Sequence, residues 1–192
     1  MERDAALAWV AEIARSVSAA RERLTELDAA IGDADHGANL DRGFTEVTAA
    51  LATPPETAGE VLALTGVTLI RKVGGASGPL YGSFFRALGK HVGDSADFAA
   101  AFADGVAAVQ RLGKAEPGDK TMLDALLPAA AALAEGTDPA TAARVGAKAT
   151  IPLQARKGRA SYLGERSVGH EDPGAASAAL IVAALVATWQ GS

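Results

Sequence analysis

Residues 65–70 read TGVTLI, the best β-strand candidate in the chain. A strand here would place the glycine-rich run VGGASGPLYG, Val73 to Gly82, where an α/β nucleotide fold carries its phosphate loop. Two observations oppose that reading. Leu62, Leu69 and Val73 recur at helical spacing, with Thr65 and Gly66 supplying small positions at which a neighbouring helix can approach. An α/β fold also needs several alternating strands, and no other segment qualifies. The hexapeptide is therefore read as helical, and the expected fold is all-α.

The flanking sequence divides in the same way. Start and stop signals give helices at about 4–30, with a break near Ser18, then 39–51, 57–73, 79–90, 95–112, 119–134, 138–155 and 173–190. Pro79, Pro139 and Pro173 fall near first-turn positions, where a missing amide donor costs nothing, and Ser95 and Asp138 are candidate caps. The 192 residues suffice for one domain, 1–192, with a substantial core. Composition is 49% hydrophobic but only 5% aromatic, which favours closely packed alanine-rich helices.

Several function classes are excluded or disfavoured. The chain has no cysteine, so disulfide frameworks and thiolate metal sites are ruled out. Its N-terminus, MERDAALAWVAEIARS, is interrupted by Glu12 and Arg15 and does not resemble a secretory signal, so a cytoplasmic location is expected. The longest apolar run, Ala175 to Trp189, is short and mostly alanine, and reads as a buried helix, not a membrane span. A net charge of −5 argues against nucleic acid.

Chemistry concentrates in the connections. LDAAIGDADHGANLDRGF, Leu27 to Phe44, gathers Asp28, Asp33 and Asp35 beside His36, with Gly32 available for a left-handed turn that ends the first helix. Three carboxylates converging on one point repel unless a cation lies between them, and hard oxygen donors without sulfur suit magnesium. The spacing lacks the twelfth-position glutamate of a calcium loop. A solvated acidic turn capping the next helix is the plain alternative. In VGGASGPLYG, glycines end one helix while Ser77, Gly78 and Pro79 begin another, leaving backbone amides and a helix dipole to receive an anion. GKAEPGDKTM, Gly113 to Met122, imitates a Walker loop but carries one residue too many before Lys120 and follows a helix. The segment RKGRASYLGERSVGHED, 156–172, shows no periodicity and is longer than ordinary helix connections, as functional loops are. It is expected to be mobile until a ligand orders it. In an up-and-down bundle every other connection shares one end, so these four segments can form a single rim suited to a nucleoside diphosphate with magnesium.

LDAAIGDADHGANLDRGF, VGGASGPLYG, GKAEPGDKTM and QARKGRASYLGERSVGHEDPG together resemble, in order and separation across nearly the whole chain, the nucleotide-binding L subunits (DhaL family) of bacterial dihydroxyacetone kinases. The resemblance implies an antiparallel eight-helix barrel with ADP or ATP and magnesium at one end. It assigns Asp28, Asp33 and Asp35 to the metal, and His36, Gly37, Ala38, Asn39, Ala76, Ser77, Gly113, Thr121, Met122, Arg159, Asp172, Pro173 and Gly174 to the nucleotide. Arg159 and the three aspartates would carry catalysis by neutralising charge. The implied partners are a subunit holding dihydroxyacetone and, in the phosphotransferase-system form, a phosphohistidine donor subunit, with ADP kept as a tightly bound, recharged cofactor. An ATP-dependent kinase subunit and a nucleotide-sensing module that contacts a transcription regulator are the alternatives, and a homodimer is compatible with the sequence.

Overall fold

The computed structural model describes residues 1–94 and 97–188, and every element among them is helical. They are α1 (Arg3–Ala19), α2 (Arg21–Ile31), α3 (His36–Ala50), α4 (Ala58–Lys72), α5 (Ser77–Asp94), α6 (Phe98–Gly113), α7 (Leu123–Glu135), α8 (Pro139–Ala149), a 3-10 segment (Arg159–Ser167) and α9 (Pro173–Thr188). The long first helix does break, at Ala20, so α1 and α2 form one interrupted rod. TGVTLI lies wholly inside α4.

Successive helices pack side by side from α2 to α9, and α9 returns to pack on α1, closing a ring of eight rods. Closure is fixed by Trp9, whose indole N–H donates to the Ile181 carbonyl at 2.9 Å. Around it Trp9, Phe84, Phe85, Phe98 and Phe102 stack edge-on or tilted, with centroids 5.2 to 6.3 Å apart. So few rings fill a core because alanine lines most of the remaining contacts and brings the rods close.

α4 and α5 approach closely along two glycine pairs. A Cβ added at Gly66 would lie 2.6 Å from the Gly82 carbonyl oxygen, and one at Gly59 would lie 2.6 Å from that of Gly89. Each pair is spaced seven residues along its own helix, so the antiparallel backbones meet along a glycine seam. Gly66, which weakened TGVTLI as a strand, is there to admit α5.

Several boundaries differ from expectation for local reasons. Thr57 and Glu60 form a reciprocal capping box that starts α4. Asp97 caps α6 through the Ala100 amide, whereas the expected cap Ser95 lies outside the described residues, as do the last two residues of the 173–190 helix. The expected start of α7 at 119 moves to Leu123, because Asp124 draws the amides of Gly118 and Thr121 into a turn at 2.6 and 2.8 Å. The 138–155 helix stops at Ala149, where Thr150 and Ile151 bond back only three residues ahead of Pro152.

Candidate functional site

Four connections, α2–α3, α4–α5, α6–α7 and α8–α9, border one cleft of about 280 Å³ at one end of the ring. That volume approaches the lower end of the ~300–1,000 Å³ typical of small-molecule pockets.

Its acidic corner is built by backbone geometry. Asp28 sits in the last turn of α2, buried, and its Oδ2 accepts from the amides of Asp35 at 2.8 Å and His36 at 3.1 Å. Asp28 thus caps α3 from the preceding helix. Asp35 occupies the N-cap position itself, yet its side chain makes no capping bond and stays available. Gly32 is not left-handed, contrary to expectation: its φ is −144°, and its role is space, since a Cβ there would lie 2.0 Å from Asp28 Oδ1. The left-handed residue is Ala34, φ 62°, between the two exposed aspartates. One oxygen from each of Asp28, Asp33 and Asp35 comes within 4.8 Å of the others. The nearest balancing charge is Arg159, whose Nε lies 3.0 Å from Asp33 Oδ2. Three hard carboxylates around one point, with a single exposed guanidinium, fit a divalent cation such as magnesium.

His36 opens α3 between two hydroxyls. Nδ1 lies 3.2 Å from Ser77 Oγ and Nε2 lies 2.9 Å from Ser177 Oγ, which is in turn 2.6 Å from the Tyr81 hydroxyl. Burial depresses the imidazole pKa, against the raising effect of Asp28 and Asp35. His36 is therefore a neutral, fixed contact. Tyr81 and Ser177, both buried, tie α5 to the start of α9 through the Gly174 carbonyl.

The remaining walls divide by polarity. The turn Gly74–Ala76, with Gly75 at φ +66°, and the start of α5 border the cleft alongside the acidic corner, and a helix's first amides have no partner within the helix. Leu80, Val109, Met122 and Leu123 supply an apolar wall. On the far side Asp172 Oδ2 accepts from the Ala175 amide at 2.7 Å and caps α9. Burial raises the Asp172 carboxyl to about 7; the Asp124 charge adds to the rise, and the Ala175 amide, Lys120 and the Gly174 amide oppose it.

That shift has a definite sign. Between the ordinary value near 3.8 and about 7, folded Asp172 holds a proton that the unfolded chain has released, so its contribution to stability is lost as pH rises through that window. At 1.36 kcal/mol per unit the loss is on the order of 4 kcal/mol. Asp172→Asn keeps a capping oxygen but no titrating proton. Urea unfolding at pH 5 and pH 7 is expected to show wild type losing more stability than the variant; parallel losses would place the charge elsewhere.

The 156–172 segment is not the free loop its sequence suggested. Ala155 and Ala160 pack on Ile31, Ser167 Oγ accepts from the Ala155 amide at 2.9 Å, and the Gly169 amide donates to the Ile151 carbonyl at 2.8 Å. Between these anchors the segment still faces outward at Arg159, Tyr162, Glu165, Arg166 and Val168, and Tyr162 is 88% exposed.

Of the sequence-derived site residues, Asp28, Asp33, Asp35, His36, Asn39, Ala76, Ser77, Gly113, Thr121, Met122, Arg159, Asp172, Pro173 and Gly174 all border this cleft. Gly37 and Ala38 do not. Gly37 faces α2, where a Cβ would lie 2.1 Å from the Arg21 carbonyl. Leu80, Val109, Lys120, Lys157, Tyr81 and Ser177 were missed. The apolar ones carry no signal apart from ordinary core periodicity, and the hydroxyl pair behind His36 joins positions 96 residues apart.

The DAK2 domain model matches residues 30–187, most of the chain. The chain belongs to the DAK2 domain family. It is 44% identical over 186 residues to the ADP-binding subunit DhaL of the PEP-dependent dihydroxyacetone kinase of Escherichia coli K12, covering 88% of this chain and 89% of that one. It is 41% identical to the ADP-binding subunit DhaL of the PTS-dependent dihydroxyacetone kinase of Lactococcus lactis, over 95% and 96% of the two chains. Among solved structures, the dihydroxyacetone kinase of C. freundii in complex with AMP-PNP and Mg2+ superposes with a TM-score of 0.79 at 29% identity, covering 94% of this chain and 33% of that one. No helix among the described residues is long and apolar enough to cross a membrane.

Proposed function

We propose that this DAK2-domain chain is the ADP-binding subunit of a phosphoenolpyruvate-dependent dihydroxyacetone kinase. It holds ADP with magnesium, accepts a phosphoryl group from a phosphohistidine donor subunit, and passes it to dihydroxyacetone held on a partner subunit. The observation that carries this reading is the convergence of Asp28, Asp33 and Asp35 beside the amide turn that opens α5. The 44% and 41% identities to ADP-binding subunits support the phosphohistidine-fed form.

The chain's own groups do three things. Asp28, Asp33 and Asp35 would hold magnesium, which when bound neutralises phosphate charge that three carboxylates would otherwise repel. The amides of 75–77, with the dipole of α5 behind them, receive phosphate oxygens, and His36, locked by Ser77 and Ser177, contacts the nucleotide as a neutral ring. The wall of Leu80, Val109, Met122 and Leu123 takes the base. Arg159, paired with Asp33 at 3.0 Å, is already placed over the carboxylates and can fork onto a phosphate as charge builds.

Transfer is balanced without a phosphoryl group on this chain. The phosphorus–nitrogen bond of the donor breaks as a bond to the terminal oxygen of ADP forms. That bond then breaks in favour of the ketose hydroxyl oxygen, with release of the hydroxyl proton. The test loads the protein with magnesium and ADP, supplies phosphoenolpyruvate-fed donor protein carrying labelled phosphate, and separates protein from nucleotide. Label is expected in ATP alone; stable label on His36 would replace this scheme with a covalent relay.

A further inference from the structure

Lys120 lies where the sequence fails as a Walker loop, and it is 1% exposed, a burial that lysine rarely tolerates without partners. Its ammonium is wholly committed. Nζ donates to the carbonyls of Leu153 at 3.0 Å, Ser167 at 2.7 Å and His170 at 2.6 Å, using all three hydrogens. It has no hydrogen left for a phosphate. Its backbone is also unusual, with φ 64° at a residue carrying a side chain.

The three carbonyls are not neighbours in sequence. Leu153 belongs to the stem that leads out of α8, whereas Ser167 and His170 belong to the stem that leads into α9. The crest between these stems carries Lys157, Gly158, Arg159 and Ala160 to the cleft. In sequence Lys120 is followed directly by Thr121 and Met122, which also line the cleft. One buried ammonium therefore staples both stems of the crest to the segment that carries Thr121 and Met122.

We propose that Lys120 is a positioning residue, an internal cation that fixes the Arg159-bearing crest over the nucleotide cleft. It acts as a structural metal ion does, by gathering carbonyl oxygens from separate segments. Burial depresses its pKa, with Asp172 opposing the fall, and the ammonium is held by its three carbonyl contacts. The inference rests on the cleft being a nucleotide site, and supplies a reason for a lysine that neither touches phosphate nor pairs directly with a carboxylate.

A lysine that served stability alone would lower the melting temperature and leave the action of Arg159 intact in the folded protein. A double-mutant cycle separates the two roles. ADP affinity in magnesium is measured by titration calorimetry for wild type, Lys120→Met, Arg159→Ala and the double variant, at a temperature where all are folded by circular dichroism. Each single change is expected to weaken ADP by roughly tenfold, the size of one lost charge-assisted contact. The double variant should be little weaker than either single, because an unstapled crest no longer presents Arg159. Should Lys120→Met not fold, the same cycle with Lys120→Arg, which keeps charge but cannot direct three hydrogens to those three oxygens, is expected to show the same non-additivity. Additive losses, or wild-type affinity in the Lys120 variant, would overturn the proposal. Failure of wild type itself to bind ADP would instead remove the nucleotide reading on which it stands.

Discussion

Asp35→Asn is expected to reduce phosphoryl transfer by at least about 100-fold, more than the loss typical of a disturbed outer-shell partner of a metal. Bound ADP should be lost with it. The far-ultraviolet circular dichroism should not change, because Asp35 sits at the N-cap of α3 without capping it; that bond comes from Asp28. The separation of roles makes Asp35 the most informative of the three carboxylates. Asp28→Asn disturbs ligand and cap together, and Asp33→Asn also frees Arg159. Steady-state transfer and nucleotide content after gel filtration are the measurements. An Asp35→Asn protein with full activity and full ADP content would remove the metal role from this corner.

Gly66→Val is expected to have a large effect on the fold. Its branched side chain would enter a gap in which even a Cβ lies 2.6 Å from the Gly82 carbonyl and 2.9 Å from the Arg86 amide nitrogen. Backbone atoms of a long helix cannot step aside as a flexible side chain can. The cost should therefore reach or exceed the upper end of overpacking losses, ~3 kcal/mol. For a chain of this size that lowers the melting temperature by roughly 6–12 °C. Gly93→Ala is the control, since a Cβ there meets nothing within 4 Å. Thermal denaturation followed at 222 nm distinguishes them, and equal melting of Gly66→Val and wild type would mean that α4 and α5 are not in close contact.

The glycine seam also explains why TGVTLI misleads. β-branched Val67, Thr68 and Ile70 raise its strand propensity, but propensity is local, whereas Gly66 is set by a helix that follows it in sequence. The helical spacing of Leu62, Leu69 and Val73 carried the correct reading because it records which face is buried. Much of the cleft was legible for a similar reason. Carboxylates, glycines and prolines that open or end helices have few other uses in such a pattern, and alternate connections of an antiparallel ring must share an end.

What was hidden depends on contacts between distant residues. Gly32 suggested a turn but supplies space for Asp28, and Ala34, which makes the left-handed turn, is indistinguishable in sequence from any helical alanine. Residues 156–172 lack periodicity, so they read as free. Their anchor is the ammonium of Lys120, more than thirty residues away, together with a small cluster on Ile31. Neither leaves a trace in the loop's own sequence. His36 stood out beside its carboxylates, yet the Ser177 and Tyr81 hydroxyls that fix it lie on two other helices.

The most direct test of the central claim is calorimetric titration of ADP into the nucleotide-free protein, first with magnesium and then with excess chelator. One ADP per chain is expected to bind in magnesium, with binding lost when the metal is removed and restored when it is returned. Equal affinity with and without magnesium, or no binding in either case, would contradict the assignment of the cleft to a metal-dependent nucleotide.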